Sequence, residues 1–370
     1  MITENKDIRE VESIIEIVDC LENETYGQNP FNLIRYFESL PNDFFHDYLR
    51  SLSIPYLFHE FEKMVPSHEN PIMLFSEKLQ QLHAWVNDLS ANESLKHLLN
   101  GNFETSSTSF DVEVKNHTGQ HYGNLFKEFN HQSYFEEARD LLNTRLVRNN
   151  INLPFHNLSL LDQGCGGGRY TVAWKLLGVK HCTGIDFSDI GIEDARKRIA
   201  FAGITDVEFI KGSVLNMPFP DESFDIVYSN GVLHHTENWQ KGIEEQLRVM
   251  KKGGWGWQYL IEVPGGIFWD KIEILRAIMK NVNKTFAQKI LGSLNIPTNR
   301  IFYMLDHVMV PINTRLTAED IYKALEIQGA KDIKRLTRGT DFDRVESIYN
   351  KIPFSKEKFG VGENRFVFSK

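Results

Sequence analysis

Along the first hundred residues apolar side chains recur at steps of three and four. Ile8, Val11, Ile14, Ile15, Val18 and Leu21 form one stripe of a helix laid against a core. Further helices are predicted at Pro30–Leu40, Asp43–Leu52 and Pro71–Leu99, broken by Pro41, Pro55, Pro66 and Gly101. From Leu158 the rhythm changes to short apolar runs alternating with helical stretches, the pattern of a parallel sheet. Strands are predicted at Leu158–Gln163, His181–Phe187, Val207–Lys211, Phe224–Asn230 and Gly256–Val263, with helices at Tyr170–Leu177, Ile192–Phe201 and Trp239–Lys251 between them. The last helix should end at Lys251-Lys252-Gly253-Gly254, cations at the negative end of the helix dipole followed by a left-handed glycine cap. A helix at Ala318–Ile327 and strands at Asp332–Leu336 and Arg365–Ser369 close an open-sheet α/β domain.

Three segments follow from these patterns: an N-terminal helical lobe over 1–110, a connecting stretch over 111–157, and the α/β domain over 158–370. The Ser/Thr-rich run Gly101–Phe110 reads as an exposed linker. About fifty residues at 264–316 interrupt the α/β alternation, far more than the usual few-residue connection. They carry Phe268, Ile272, Leu275, Met279 and Val282 at helical spacing, after the carboxyl end of a strand, where open sheets bind ligands. A substrate lid and a dimerisation insert are both open there, as is a homodimer contact through the N-terminal lobe.

Charge divides the chain. Residues 1–110 hold 18 acidic and 7 basic side chains, and the remainder 32 and 34, within a total net charge of −9. An acidic lobe is therefore joined to a nearly neutral one, and neither offers the basic stripe that nucleic acid would favour. No run of 18 apolar residues is present, so no membrane helix is expected. The N-terminus lacks the pattern of a secretory signal, and three scattered cysteines (Cys20, Cys165, Cys182) suit a reducing compartment, so a cytoplasmic location is expected.

The chemistry concentrates at Leu160-Leu161-Asp162-Gln163-Gly164-Cys165-Gly166-Gly167-Gly168-Arg169-Tyr170, a predicted strand–loop–helix junction. Glycines there let backbone approach a ligand, and the next helix aims free N–H groups at it. Asp186, 24 residues after Asp162, ends the following strand, where a carboxylate can accept both hydroxyls of an adenosine ribose. The dinucleotide spacing G-x-G-x-x-G fails in both registers, because Arg169 and Thr171 stand where glycine is required. That counts against a nicotinamide oxidoreductase.

The run instead resembles D-x-G-C-G-x-G, the first motif of class I S-adenosylmethionine-dependent methyltransferases. The likeness continues through Gly184-Ile185-Asp186-Phe187-Ser188, Met217–Val227, Ser229-Asn230-Gly231-Val232-Leu233-His234-His235 and Leu247–Gly254. The nearest subgroup is similar to the ubiquinone/menaquinone-type methyltransferases, which act on small molecules. The resemblance implies a Rossmann-like, seven-stranded, mostly parallel sheet with helices on both faces, and S-adenosylmethionine as cofactor. It also implies that Gly164, Cys165 and Gly166 line the methionine end, with Asp162 orienting that loop or reaching the amino group through water. Asp186 would hold the ribose, Phe187 would cover the adenine, and Asn230 would meet the methionine moiety. Where the family often has Asp for the adenine amino group this chain has Ser213, leaving its hydroxyl and the Val214 amide for that edge.

Methyl transfer from a sulfonium relies on positioning, and a general base is needed only for a weakly acidic nucleophile. His234 and His235 are the candidate bases, with a loop-packing role as the competing interpretation. Arg169 is open between the methionine carboxylate and a surface ion pair. Tyr303, His307 and Arg315 are candidates for contacting an acidic or polar substrate. Asp306 beside His307 lacks a third ligand at a recognisable spacing, so no metal is expected. The expected partner is a small molecule, methylated on O, N or C. The alternatives are a protein substrate recruited by the acidic lobe and a non-catalytic cofactor-binding partner. Tyr122–Phe129 and a helix at Gln132–Val147 are expected to form part of a cofactor lid, against core packing as the alternative.

Overall fold

A computed structural model describes residues 26–100 and 130–370. The helix predicted around Ile8–Leu21, the linker at 101–110 and the aromatic run 122–129 lie outside the described residues. In chain order the helices are α1 (Asn29–Ser39), α2 (Phe44–Met64), α3 (Pro71–Ser90), α4 (Glu93–Asn100) and, after a π-helical turn at Gln132–Glu136, α5 (Glu137–Arg148). There follow β1 (Ser159–Gln163), α6 (Arg169–Leu176), β2 (His181–Asp186), α7 (Asp189–Phe201), β3 (Val207–Lys211), β4 (Phe224–Asn230), α8 (Trp239–Val249) and β5 (Met250–Leu260). Then come α9 (Gly266–Met279), α10 (Lys284–Ser293), α11 (Thr298–Val308), α12 (Ala318–Ile327), β6 (Lys331–Arg335), α13 (Arg344–Tyr349), α14 (Ser355–Phe359) and β7 (Asn364–Ser369).

The described residues divide into two compact units. A helical unit holds 26–100, 265–310 and 351–360; an α/β unit holds 130–264, 311–350 and 361–370. In the helical unit α2 packs on α3, α9 and α10 through Phe45, Leu49, Leu57, Phe58 and Phe61. The Asp43 side chain caps α2 by accepting from the His46 amide. Pro55 was expected to break this helix and instead lies inside it. An interior proline costs about 3 kcal/mol, and the burial of Ile54, Leu57, Phe58 and Phe61 around it outweighs that cost. The single helix predicted over Pro71–Leu99 is two, because Asn92 starts the second by accepting from the Leu95 amide.

The α/β unit is built on a seven-stranded sheet in the order β3-β2-β1-β4-β5-β7-β6. Strands β1 to β5 run parallel, and β7 is antiparallel to both of its neighbours. Alternation along the central strands sends side chains to two cores. Leu160, Ile226 and Tyr228 join Trp174 and Leu142 on one face, while Leu161 and Val227 join Ile243, Leu247 and Ile321 on the other. The expected glycine cap of α8 takes a different form. The helix stops at Val249 and Gly253, at φ +72°, lies within β5, beside a register shift between Phe224 and Ile226. Residues 311–316 stay with the sheet: the Leu316 amide donates to the Ile261 carbonyl and the Val263 amide to the Leu316 carbonyl, both at 2.9 Å. Among the described residues no helix is long and apolar enough to cross a membrane.

Candidate active site at the carboxyl edge of the sheet

The turn after β1 is set by glycine conformations that other residues rarely adopt. Gly164, Gly166 and Gly168 have φ of +85°, +55° and +76°. A Cβ on Gly164 would lie 2.2 Å from Val232, and one on Gly168 would lie 2.5 Å from Phe209. The Gly164 and Cys165 amides both donate to the Ile185 carbonyl, at 2.8 and 3.0 Å, so the turn is sewn onto the end of β2. Gly168 then opens α6 as its N-cap. The Cys165 thiol is buried, and burial raises its pKa well above normal, so it contributes packing rather than a thiolate.

Two carboxylates bracket the turn. Asp186, ending β2, accepts from the Gly166 amide through Oδ2 and from the Ser188 amide through Oδ1, both at 2.8 Å. Each oxygen keeps a further lone pair for a ligand hydroxyl. Burial raises the Asp186 pKa, while the amides of Ser188, Gly166 and Phe187 oppose that rise. Asp162 is buried and accepts from the Thr171 hydroxyl at 2.7 Å, tying β1 to the first turn of α6. Burial pushes its carboxyl up to about 7, against the pull of Thr171, and the Asp186 charge pushes in the same direction as burial.

Beyond β2, Phe187 is 46% exposed, with the Lys211 ammonium 6.0 Å from its ring centre. The Ser213 hydroxyl accepts from the Leu215 amide, closing the turn after β3. The carbonyl of Val214 accepts from Gln163 Nε2 at 3.1 Å. Asn230, ending β4, accepts from the Trp257 indole at 3.1 Å. These positions sit at the carboxyl ends of β1 to β4, the binding edge of an open sheet.

His234 and His235 form a directed chain. The Ile261 amide donates to His234 Nδ1 at 3.3 Å, the two Nε2 atoms lie 3.0 Å apart, and His235 Nδ1 lies 2.8 Å from the Ile312 carbonyl. A backbone amide only donates and a carbonyl only accepts. Neutral rings therefore run one way, with His234 Nε2–H donating to His235 Nε2 and His235 Nδ1–H donating to Ile312. Every ring nitrogen is engaged, so a base role requires this chain to open first.

Tyr303 and His307 share an aromatic cluster in the helical unit, with rings 4.7 Å apart and Trp269 at 5.5 Å from His307. Arg315 belongs to the α/β unit. Arg169 donates from Nε to the Ser133 carbonyl at 2.8 Å, fastening the π-helical turn to α6. Tyr134 on that turn donates from its hydroxyl to the Gly167 carbonyl at 2.5 Å, and Arg198 lies over its ring. No sequence signal beyond a helical aromatic marked Tyr134 for this contact. Nor was a buried ionic network foreseen. Arg145 and Arg365 pair with Asp343, and Arg344 pairs with Glu262 and Glu363, although the Arg145–Asp343 partners lie 198 residues apart in sequence.

Residues 161–257 match a family described as a methyltransferase domain. A demethylmenaquinone methyltransferase of Listeria monocytogenes is 32% identical over 102 residues, 26% of this chain and 41% of that protein. The uncharacterised methyltransferase YcgJ of Bacillus subtilis is 34% identical over 95 residues, 26% and 37% of the two chains. A putative methyltransferase of Encephalitozoon cuniculi is 29% identical over 203 residues, 49% of this chain and 90% of its own length. The chain thus spans about two fifths of the first two relatives. Among solved structures, a complex of the Haloferax volcanii Trm112 methyltransferase activator with a putative methyltransferase matches at 16% identity and TM-score 0.43, over 67% of this chain and 96% of its own. The stretch similar to a methyltransferase domain, 161–257, contains the glycine turn, Asp186, Asn230 and the His234–His235 pair.

Proposed function

We propose that this protein transfers the methyl group of S-adenosylmethionine to an O, N or C nucleophile of a small molecule. The observation that carries the reading is the junction of the glycine turn with Asp186. Three left-handed glycines leave a backbone cradle, and the Gly166 amide aligns the carboxylate beside it at 2.8 Å. These residues fit an adenosyl group. Asp186 would hold the ribose hydroxyls, and Gly164, Cys165 and Gly166 would line the methionine end. Asn230 would meet the methionine moiety, Phe187 would cover the adenine, and Ser213 with the Val214 amide would face the adenine edge. Asp162 would act through the Thr171 hydroxyl to fix the turn. When bound, S-adenosylmethionine supplies an electrophilic methyl on a cationic sulfur.

The chain's own contribution is positioning, which is worth several kcal/mol in a displacement of this kind. His234 and His235 serve as base for a weakly acidic acceptor only if their hydrogen-bond chain opens. The guanidinium of Arg315, in the α/β unit, is proposed to contact the acceptor. A small-molecule acceptor is favoured by the relatives named as demethylmenaquinone methyltransferases. Methylation of a protein recruited by the acidic residues 1–110 is the second reading, supported by their 18 acidic against 7 basic side chains. Labelled methyl donor incubated with the full chain and a cell extract separates the two. Label in the small-molecule fraction supports the first reading, label in protein supports the second, and no transfer to either contradicts both.

A further inference from the structure

Gln163 is a buried polar residue at the end of β1, directly after Asp162 and before the glycine turn. Its Nε2 donates to two backbone carbonyls, Val214 at 3.1 Å and Gly242 at 2.9 Å. Its Oε1 is buried with no hydrogen-bond partner among the described residues. The amide orientation is therefore dictated: turning it over would set an oxygen against two carbonyl oxygens. Leaving a buried acceptor unmade is costly, and an apolar side chain of similar shape would avoid that cost. What Gln163 gains is a bridge. It joins β1, the turn after β3 and the start of α8 at one point.

The rest of that turn is also anchored to α8. The Met217 amide donates to Glu245, and Arg248 donates to the Met217 and Phe219 carbonyls. Those anchors hold the far side of the turn. At Val214 itself the carbonyl is held by Gln163, and the neighbouring Ser213 hydroxyl is already accepting from Leu215. If the adenine edge is read at 213–214, its reader is backbone, and backbone reads only as accurately as it is held.

We propose that Gln163 is a positioning residue for the purine base of the cofactor: by gripping the Val214 carbonyl it fixes the Val214 amide that discriminates adenine. The inference rests on the cofactor reading above. The test is calorimetry on the full chain with S-adenosylhomocysteine and with its hypoxanthine analogue, S-inosylhomocysteine. Gln163→Met keeps the shape and removes both donors. It should weaken S-adenosylhomocysteine about tenfold and shrink the preference over the inosyl compound by at least about threefold. Gln163→Asn, which keeps an amide one methylene too short to bridge both carbonyls, should show the same loss and serves should the methionine variant fail to fold. A folded variant whose affinity and base preference both match the wild type overturns the proposal, even if its melting temperature falls. Failure of the wild type to bind either compound would instead remove the cofactor reading on which the proposal stands.

Discussion

Single residues in this site carry opposed demands of burial and hydrogen bonding, and Asp162 is the clearest case. Its carboxyl is pushed to about 7 by burial, so the folded state holds a proton that the unfolded chain has already released. Between the usual aspartate range and neutrality its contribution to stability therefore declines as pH rises. Asp162→Asn keeps an acceptor for Thr171 and removes that ionisation. The variant should gain melting temperature relative to wild type at pH about 8 and lose the advantage near pH 4.5, with a linkage effect of up to about 4 kcal/mol. Parallel melting curves that differ by the same amount at both pH values would show that Asp162 is not the titrating group. The glycine turn and Asp186 were legible in the sequence because both are local: residue type and spacing specify a backbone path. Gln163 was passed over because its role depends on two carbonyls, at 214 and 242, that no local pattern brings to it.

At the scale of elements, all seven strands lie at or beside the stretches predicted for them. Strands β1, β2, β4 and β7 are largely buried and read clearly, whereas β3 and β6 are partly exposed edge strands and β5 begins at Met250, six residues before the predicted Gly256. Where elements end was harder to read. Pro55 and Gly253 are helix-ending residues by type, yet tertiary burial carries the helix past one and a bulge in β5 absorbs the other. The loop after β4 and the segment 311–316 are joined by the His234–His235 chain and by the Thr314 amide, which donates to the His234 carbonyl. The link to 311–316 was invisible in sequence, where the two histidines suggested proton removal or packing within their own loop. His235→Ala deletes the link to the Ile312 carbonyl. Hydrogen exchange should then quicken at Thr314 and Leu316 while the β1 and β2 amides keep their protection. Unchanged exchange at 314 and 316 would mean that the histidine chain does not restrain the segment.

Over the whole molecule, the ionic network of Arg145, Arg344 and Arg365 with Asp343 and Glu363 should contribute to acid stability. Burial alone would raise the Asp343 and Glu363 carboxyls, but Arg365 with Arg145, and Arg344 with Arg365, hold them below the usual range. Depressed carboxylates contribute stability that is present above their ordinary range and lost as acid protonates the folded state. Their effect thus runs against that of Asp162, and the protein should be least tolerant of strong acid. Asp343→Asn leaves Arg145 and Arg365 without their shared carboxylate and should cost about 3–5 kcal/mol near neutrality, with most of the difference gone at pH about 2. Denaturant unfolding at the two pH values measures it. A cost below about 1 kcal/mol at neutrality would mean that the network is solvated and replaceable.

The proposed function rests on one binding event, the grip of the glycine turn and Asp186 on an adenosyl group. Its most direct measurement is titration calorimetry of the full chain with S-adenosylhomocysteine, beside NADH and beside Asp186→Ala. The account predicts saturable one-to-one binding of S-adenosylhomocysteine, no comparable binding of NADH, and a loss of at least about tenfold in the alanine variant, whose fold is checked by its melting curve. Tight binding of NADH alone, or an Asp186→Ala protein with undiminished affinity for S-adenosylhomocysteine, would contradict it.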